Sequence, residues 1–274
     1  MRLITITAAI IGTIGITNGQ PIGIAYYDVD QLYDTIQSPF YDDREFTPNG
    51  RNGWSERRYR DKITKIAAVI DSMQMPIVAL YGVENQDVVR DVVRQSALDY
   101  SYSHRTLNSY DGLDFSLLYF GDMFYPRHIY SSFGWLYIEL KALREEWSLG
   151  IYLVRHGYNL RSASPPHADK PPNHTIAMGR IDRDDLKRLE LIDLLQKRQR
   201  QGYGNMKYDR LWQFHDLIGV GSGTKVEREG VFITKWLLTK DGSRPLATIS
   251  GRDYIGGYSR YLPIYLYINT KEHQ

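Results

Sequence analysis

The residues of this chain that could do chemistry are carboxylates and a histidine placed at the ends of strand-like runs. Asp28 and Asp30 follow the apolar run Ile22-Gly-Ile-Ala-Tyr-Tyr27, which delivers both acids to its carboxyl end. Asp114 lies in Leu113-Asp-Phe-Ser-Leu-Leu-Tyr119, His156 closes the run from Ser148 to Arg155, Asp182 follows Thr175-Ile-Ala-Met-Gly-Arg180, and Asp216 precedes Leu217 and Ile218. Carboxylates combined with an imidazole are the means of holding a hard divalent cation and of moving protons. Asp28, Asp30, Asp182 and His156 form one such set, suited to magnesium or calcium, although a strand-end histidine also serves as an ordinary hydrogen-bonding residue. His167 and His174 flank a proline-rich stretch at a spacing that fits no compact metal motif. The chain has no cysteine, which excludes thiolate chemistry, Cys-ligated metal and disulfides.

These groups must be positioned by the elements around them. Ser55 and Glu56 start a helix in which Ile63, Ile66, Ala67 and Ile70 recur at helical spacing, and Met75-Pro76 stops it. Ile77 to Tyr81 is a buried strand, and Asn85 caps a second helix carrying Val88, Val89, Val92 and Val93. Tyr100 to His104 and Leu113 to Tyr119 read as adjacent strands, and the β pattern continues over Ile129 to Ala142 and Ser148 to Arg155. Pro165, Pro166, Pro171 and Pro172 disfavour helix in the interval after His156. Asp184 to Gln201 reads as one amphipathic helix with Leu186, Leu189, Ile192 and Leu195 inward, and Tyr208 to Ile218 reads as a further strand.

A chain of 274 residues suits one generous core. Its formal charge of +2 supplies no strong field for nucleic acid or anionic lipid, so nucleic acid is not the expected partner. Twenty-two tyrosines fit half-buried sheet surfaces. Met1-Arg2, the apolar run Leu3 to Ile16 and the small residues before Gln20 read as a signal peptide over residues 1–19, too short for a comfortable membrane span of about 20 apolar residues. Export to the periplasm or to an outer-membrane association is the expectation, with residues 20–274 as the mature domain and no transmembrane span in it.

Leu80-Tyr-Gly-Val-Glu-Asn85, together with Tyr27-Asp-Val-Asp-Gln-Leu-Tyr-Asp34 and Gly256-Gly-Tyr-Ser-Arg-Tyr-Leu-Pro263, resembles the endonuclease/exonuclease/phosphatase superfamily, whose fold is DNase I-like. The resemblance implies an α/β (α+β) protein built as a four-layer αββα sandwich, two packed and mostly antiparallel sheets with helices outside. It also implies where chemistry should sit. The family's main metal-binding Glu falls on Gly82, and Glu84 is the second Glu of the same motif. Asp28 stands where an Asn helps hold metal and phosphate. Asp114 is retained, and His156 aligns with a histidine that acts on phosphate. The family's Asp and Asn of the Gly-Asp-Phe-Asn segment fall on Arg180 and Asp182. Asp216 keeps the Asp that supports a terminal histidine, but that histidine and the Asp before it have become Tyr261 and Arg260.

Taken at those positions, the resemblance implies a catalytically degenerate member, with His156, Asp216 and Asp114 as what is left of the site and no metal cofactor expected. Arg180, Arg260 and Asp28 become binding candidates, and a protein partner in the cell envelope is the expected kind of partner. The bland alternative pairs the arginines with Asp28, Asp182 and Asp216 to neutralise a dead site. The enzymatic alternative is a divergent magnesium-, manganese- or calcium-dependent phosphoric ester hydrolase, or nuclease, whose metal has moved to Asp28, Asp30 and Asp182.

Overall fold

The computed structural model describes residues 21–105, 109–155 and 171–270. The described residues open on strand β1 (Ile22–Leu32), followed by helix α1 (Glu56–Met73), β2 (Ile77–Val83), helix α2 (Gln86–Gln95), β3 (Tyr100–Arg105) and β4 (Asp114–Phe120). Next come β5 (Phe124–Ser132), β6 (Trp135–Ala142), β7 (Ser148–Val154), β8 (His174–Gly179), α3 (Arg183–Arg188), β9 (Leu191–Asp193) and α4 (Gln196–Arg200). A hairpin of β10 (Met206–Tyr208) and β11 (Leu211–Gln213) precedes β12 (Leu217–Gly221) and β13 (Lys225–Val231). The small pair β14 (Ile249–Ser250) and β15 (Asp253–Tyr254) leads to the final strand, β16 (Ile264–Asn269).

Two six-stranded sheets carry the molecule, in the orders β13-β16-β1-β2-β4-β3 and β5-β6-β7-β8-β12-β9. Each contains one parallel pair, β1 with β2 and β7 with β8, and is otherwise antiparallel. Period-two alternation sorts the central strands. Ile22, Ile24 and Tyr26 of β1 and Ile77, Ala79 and Tyr81 of β2 face the second sheet, where Ile138, Ile151, Ile176 and Ile218 meet them. Ala25, Tyr27 and Val29, with Val78, Leu80 and Val83, face α1 and α2. Burial on both faces explains why these strands read as unbroken apolar runs.

Both helices form where the sequence places them. The Ser55 hydroxyl accepts the Arg58 N–H at the start of α1, and the Asn85 side chain accepts the Val88 N–H at 3.0 Å at the start of α2. Gln74 ends α1 in the left-handed conformation at φ 51°. The outer face of the second sheet is thinly covered by helix, in line with the prolines that disfavour helix after His156. Among the described residues it carries Trp135, Tyr137 and Tyr152 packed with Ile181, Leu186 and Leu191, under the single short helix α3.

Three sequence expectations need correction. The stretch 184–201 is not one helix: Glu190 turns left-handed at φ 56°, and Leu191–Asp193 leaves the helical path to extend the sheet along β12. An open strand edge outweighed a helical period, and Ile192, placed inward by that period, is 55% exposed. The run 129–142 is a hairpin that begins at Phe124 and turns at Phe133-Gly134, with Gly134 at φ 85°. The run 208–218 is likewise broken by Asp209 and Arg210, both at positive φ, in the two-residue turn of the β10–β11 hairpin.

Gly82 lies in a bulge that breaks register on both sides of β2. Its φ is 88°, and a Cβ there would lie 2.2 Å from the Asp30 carbonyl oxygen. Asp30 is itself left-handed, at φ 67°, so the ends of β1 and β2 kink together. The bulge shifts the side-chain parity, which puts Val83 on the helix side with Val78 and Leu80. Glycine is therefore required by a close backbone approach as well as by its φ. Gly82→Ala should cost about 2–4 kcal/mol in urea unfolding. A loss under about 1 kcal/mol would show that the bulge relaxes and that the position is free to carry a side chain.

Candidate functional site

The strand ends that meet at one edge of the sandwich bring together Asp28, Arg180, His215, Asp216 and Tyr261. Asp28 comes from the end of β1, Arg180 follows β8, and Asp216 precedes β12, whose Leu217 pairs with Gly179. Gly179, at φ 121° with a Cβ position 2.3 Å from the Val154 carbonyl oxygen, allows the turn that sends Arg180 into the cleft. The Arg180 Nη2 then donates to Asp28 Oδ2 at 3.0 Å, with Asp28 fully enclosed and the arginine side chain 24% exposed. The same nitrogen reaches the Tyr261 hydroxyl at 3.4 Å.

Around this pair the cleft is an alternation of arginines and aromatic rings. Arg180 lies over Tyr81 and Tyr261, at 5.5 and 5.6 Å from the ring centroids, and Arg155 lies over Tyr81 and Tyr110 at 5.9 and 5.4 Å. Tyr261 in turn stacks on His215 at 4.5 Å. Arg155 is tied to Asp111 at 2.7 Å. Asn205, fully buried, donates to Asp216 Oδ2 at 2.7 Å and accepts the His215 N–H at 2.8 Å, which fixes both residues.

Electrostatics follows from burial. Burial and the neighbouring Asp216 push the Asp28 carboxyl well above the ordinary carboxylate range, against the pull of Arg180. Asp216 is lifted to about 6 by burial, although Arg180 and Asn205 favour its charge. Two carboxylates this close share one guanidinium.

Asp30 lies apart from this group. Arg260 holds it with two bonds, Nε to Oδ2 at 2.9 Å and Nη2 to Oδ1 at 2.7 Å. Asp182 is exposed at the start of α3 and lines a groove of about 330 Å³ with Arg180, Arg183, Gln199, Phe214 and His215. Asp114 is buried at the start of β4, where the Ser109 hydroxyl approaches it at 3.4 Å. Glu84 turns away from the cleft: it accepts the Tyr41 hydroxyl at 2.8 Å and the Asp34 N–H at 2.6 Å, and burial lifts it to about 7. His156 lies outside the described residues.

Sequence reasoning thus placed Asp28, Arg180, Asp216 and Tyr261 in one cleft. It missed Tyr81, Arg155, Asn205 and His215. His215 carried a signal in its position beside Asp216, and Tyr81 in its position beside Gly82. Asn205 carried none, because it comes from a loop and acts through partners at residues 215, 216 and 262.

The donor set can be tested against the divalent cation that the fold implies. Among the described residues, the ligand atoms that gather within 4.8 Å of one another belong to Asp28, His215 and Asp216, and neither Asp30 nor Asp182 joins them. This trio contains a guanidinium's partner, Asp28, and an amide's partner, Asp216, and both acids resist ionisation. Gly82 offers no donor, and its Cβ position is closed by the Asp30 carbonyl. The residues do not fit a dication, because a fixed positive charge already stands against the chief carboxylate.

Residues 23–134 match the model of the Endonuclease/Exonuclease/phosphatase family. Among solved structures, an endonuclease/exonuclease/phosphatase family protein from Bacteroides thetaiotaomicron is similar at 11% identity and TM-score 0.57, covering 93% of this chain and 100% of its own. The mannosyl-6-phosphatase of B. thetaiotaomicron VPI-5482 is similar at 12% identity and TM-score 0.54, over 90% of this chain and 99% of its own. D. rerio TDP2, in complex with a single-strand DNA product, matches at 12% identity and TM-score 0.54, over 91% and 99%. No curated protein matches the chain by sequence. The family model matches residues 23–134, and the two-sheet fold around that stretch is the fold of these endonuclease/exonuclease/phosphatase structures.

Proposed function

We propose that this chain is a non-catalytic member of the endonuclease/exonuclease/phosphatase superfamily, exported to the cell envelope, where the altered cleft serves in binding a partner. The observation that carries the reading is Arg180 bonded to Asp28 in the middle of the cleft. A guanidinium cannot polarise a phosphoryl oxygen as a Lewis acid or generate a hydroxide, and it accepts no proton. The Tyr261 hydroxyl, which accepts from Arg180, stands where the sequence resemblance places an imidazole, and Arg260 is paired with Asp30. What remains is a cationic, aromatic surface able to recognise an acidic group of a protein partner. The competing reading, a divergent metal-dependent phosphoric ester hydrolase, draws on the trio Asp28, His215 and Asp216.

The purified protein should hydrolyse neither a generic phosphodiester, a phosphomonoester nor duplex DNA above the metal-free blank, whether magnesium, manganese or calcium is supplied. Metal-dependent turnover abolished by Asp28→Asn would establish the competing reading instead.

Arg180→Leu should destabilise the fold by about 3 kcal/mol near neutral pH, because it strands two buried carboxylates without a cation. The pH dependence follows from their raised native values. Between the ordinary 3.8 and about 6, native Asp216 holds a proton that the unfolded chain has released, so stability falls as pH rises through that window. Acidification below about pH 5 should therefore recover part of the Arg180→Leu loss. Urea midpoints that show the same loss at both ends of the window would mean that Arg180 acts by packing alone.

Export rests on the apolar run that precedes Gln20. Mass spectrometry of the protein from fractionated cells should find a mature chain beginning near Gln20 in the envelope fraction. An intact chain starting at Met1 in the cytosolic fraction would remove this part of the reading.

A further inference from the structure

Beside the cleft, and reaching the Arg260 that holds Asp30, lies a cavity of about 340 Å³ between the β10–β11 hairpin and the loop running from Thr239 to Ile255. Its apolar lining is Met206, Pro245, Leu246, Ala247, Ile249 and Ile255. Its charged lining is Lys207, Arg244 and Arg260, with no acidic residue among the lining groups.

Two of these cations, Lys207 and Arg244, are not used up by ion pairing within the described residues, and the third is used in part. Among the described residues, neither Lys207 nor Arg244 forms an ion pair, and Lys207 rests over the Trp212 ring at 5.3 Å. Arg260 gives Asp30 its Nε and Nη2, leaving its remaining nitrogen for another acceptor.

The far wall is held rigidly. Buried Lys62 of α1 donates to the Thr248 hydroxyl and to the Tyr258 carbonyl, Lys65 reaches the Gly256 carbonyl, and the Tyr254 hydroxyl bonds Asp61. Backbone bonds from Gly257 to Ala247 and from Tyr258 to Leu246 close the loop on itself. Asp241 accepts from Thr239 and Ser243 and shapes the turn that presents Arg244. A cavity braced in this way loses little freedom when it is filled.

The geometry points to a binding site for a small monoanion with an apolar body, a medium-chain carboxylate, with its head on Lys207, Arg244 and Arg260 and its chain against Ile249, Ile255 and Leu246. The volume falls in the range of small-molecule sites, about 300–1,000 Å³, which excludes a folded partner and suits a single short chain. Lys207 and Arg244, two cations that form no ion pair among the described residues, supply the attraction for the head, and the remaining nitrogen of Arg260 adds a donor. The apolar wall rewards each buried methylene and so separates this ligand from acetate or inorganic phosphate. The site lies outside the Asp28 group, so it stands or falls independently of whether the cleft is catalytic.

Calorimetric titration of the full-length protein with octanoate, octanol, acetate and inorganic phosphate tests this. Octanoate should bind saturably, and the other three at least about tenfold more weakly, because each lacks either the charge or the chain. The double variant Lys207→Ala/Arg244→Ala should weaken octanoate at least about tenfold without changing the thermal midpoint. Should that variant misfold, Ile255→Asp serves in its place, since the side chain is 49% exposed and an acid there opposes the ligand's charge. Equal binding of octanol, no binding of octanoate, or octanoate affinity unchanged in the variants would overturn the assignment. So would tighter binding of a short peptide ending in leucine, which would make the cavity a dock for a protein terminus.

Discussion

The interaction on which the cleft depends is the buried ion pair between Arg180 and Asp28. It joins the carboxyl end of β1 in one sheet to the carboxyl end of β8 in the other, at the edge where the sandwich is open. Two carboxylates, Asp28 and Asp216, come close together there because the fold places them so. Without a cation, their mutual repulsion and desolvation would oppose packing. A bound divalent cation would be one such counter-charge. Here the counter-charge is covalently attached to the chain, and its planar fork lies between two tyrosine rings that a hydrated ion would not need.

The other substitutions in the cleft interlock with this one. The Ser259 hydroxyl bonds the Asp28 carbonyl oxygen at 2.7 Å, Arg260 grips Asp30 from the next position, and Tyr261 fills the space over His215. Asp30 in turn presses its carbonyl onto Gly82. These positions therefore depend on one another. A Glu at position 82 would meet the Asp30 backbone, and a histidine at position 261 would face the Arg180 guanidinium.

Much of this was legible in the sequence, and the reasons differ by residue. The strands and helices from Ile22 to Phe120 follow short-range rules, apolar runs, caps and stops, which is why Ser55, Asn85 and Met75-Pro76 marked boundaries correctly. The cleft residues Arg180, Asp216 and Tyr261 were found through motifs in order along the chain. Leu191–Asp193 was not legible as a strand, because its conformation is set by the edge of β12, whose pairing residues lie 26 or more positions away and are encoded by no local period. Asn205 was invisible for the same reason: a loop asparagine acquires its role only when the chain brings residues 215, 216 and 262 around it.

The ion pair also determines how each part of this surface can receive a ligand. An anion entering the cleft must draw Arg180 away from Asp28, and the stranded carboxylate then opposes it from inside a low-dielectric pocket. Only a ligand that carries a proton to Asp28, or makes several bonds at once with the aromatic surface of Tyr81 and Tyr261, escapes that opposition. Lys207 and Arg244 face no such competitor, and the loop that carries Arg244 is already braced against α1 through Lys62 and Lys65. The same chain therefore presents two cationic surfaces of different character. In the cleft the charge is compensated and selective; in the neighbouring cavity it is uncompensated, and the shape of the apolar wall decides what is retained.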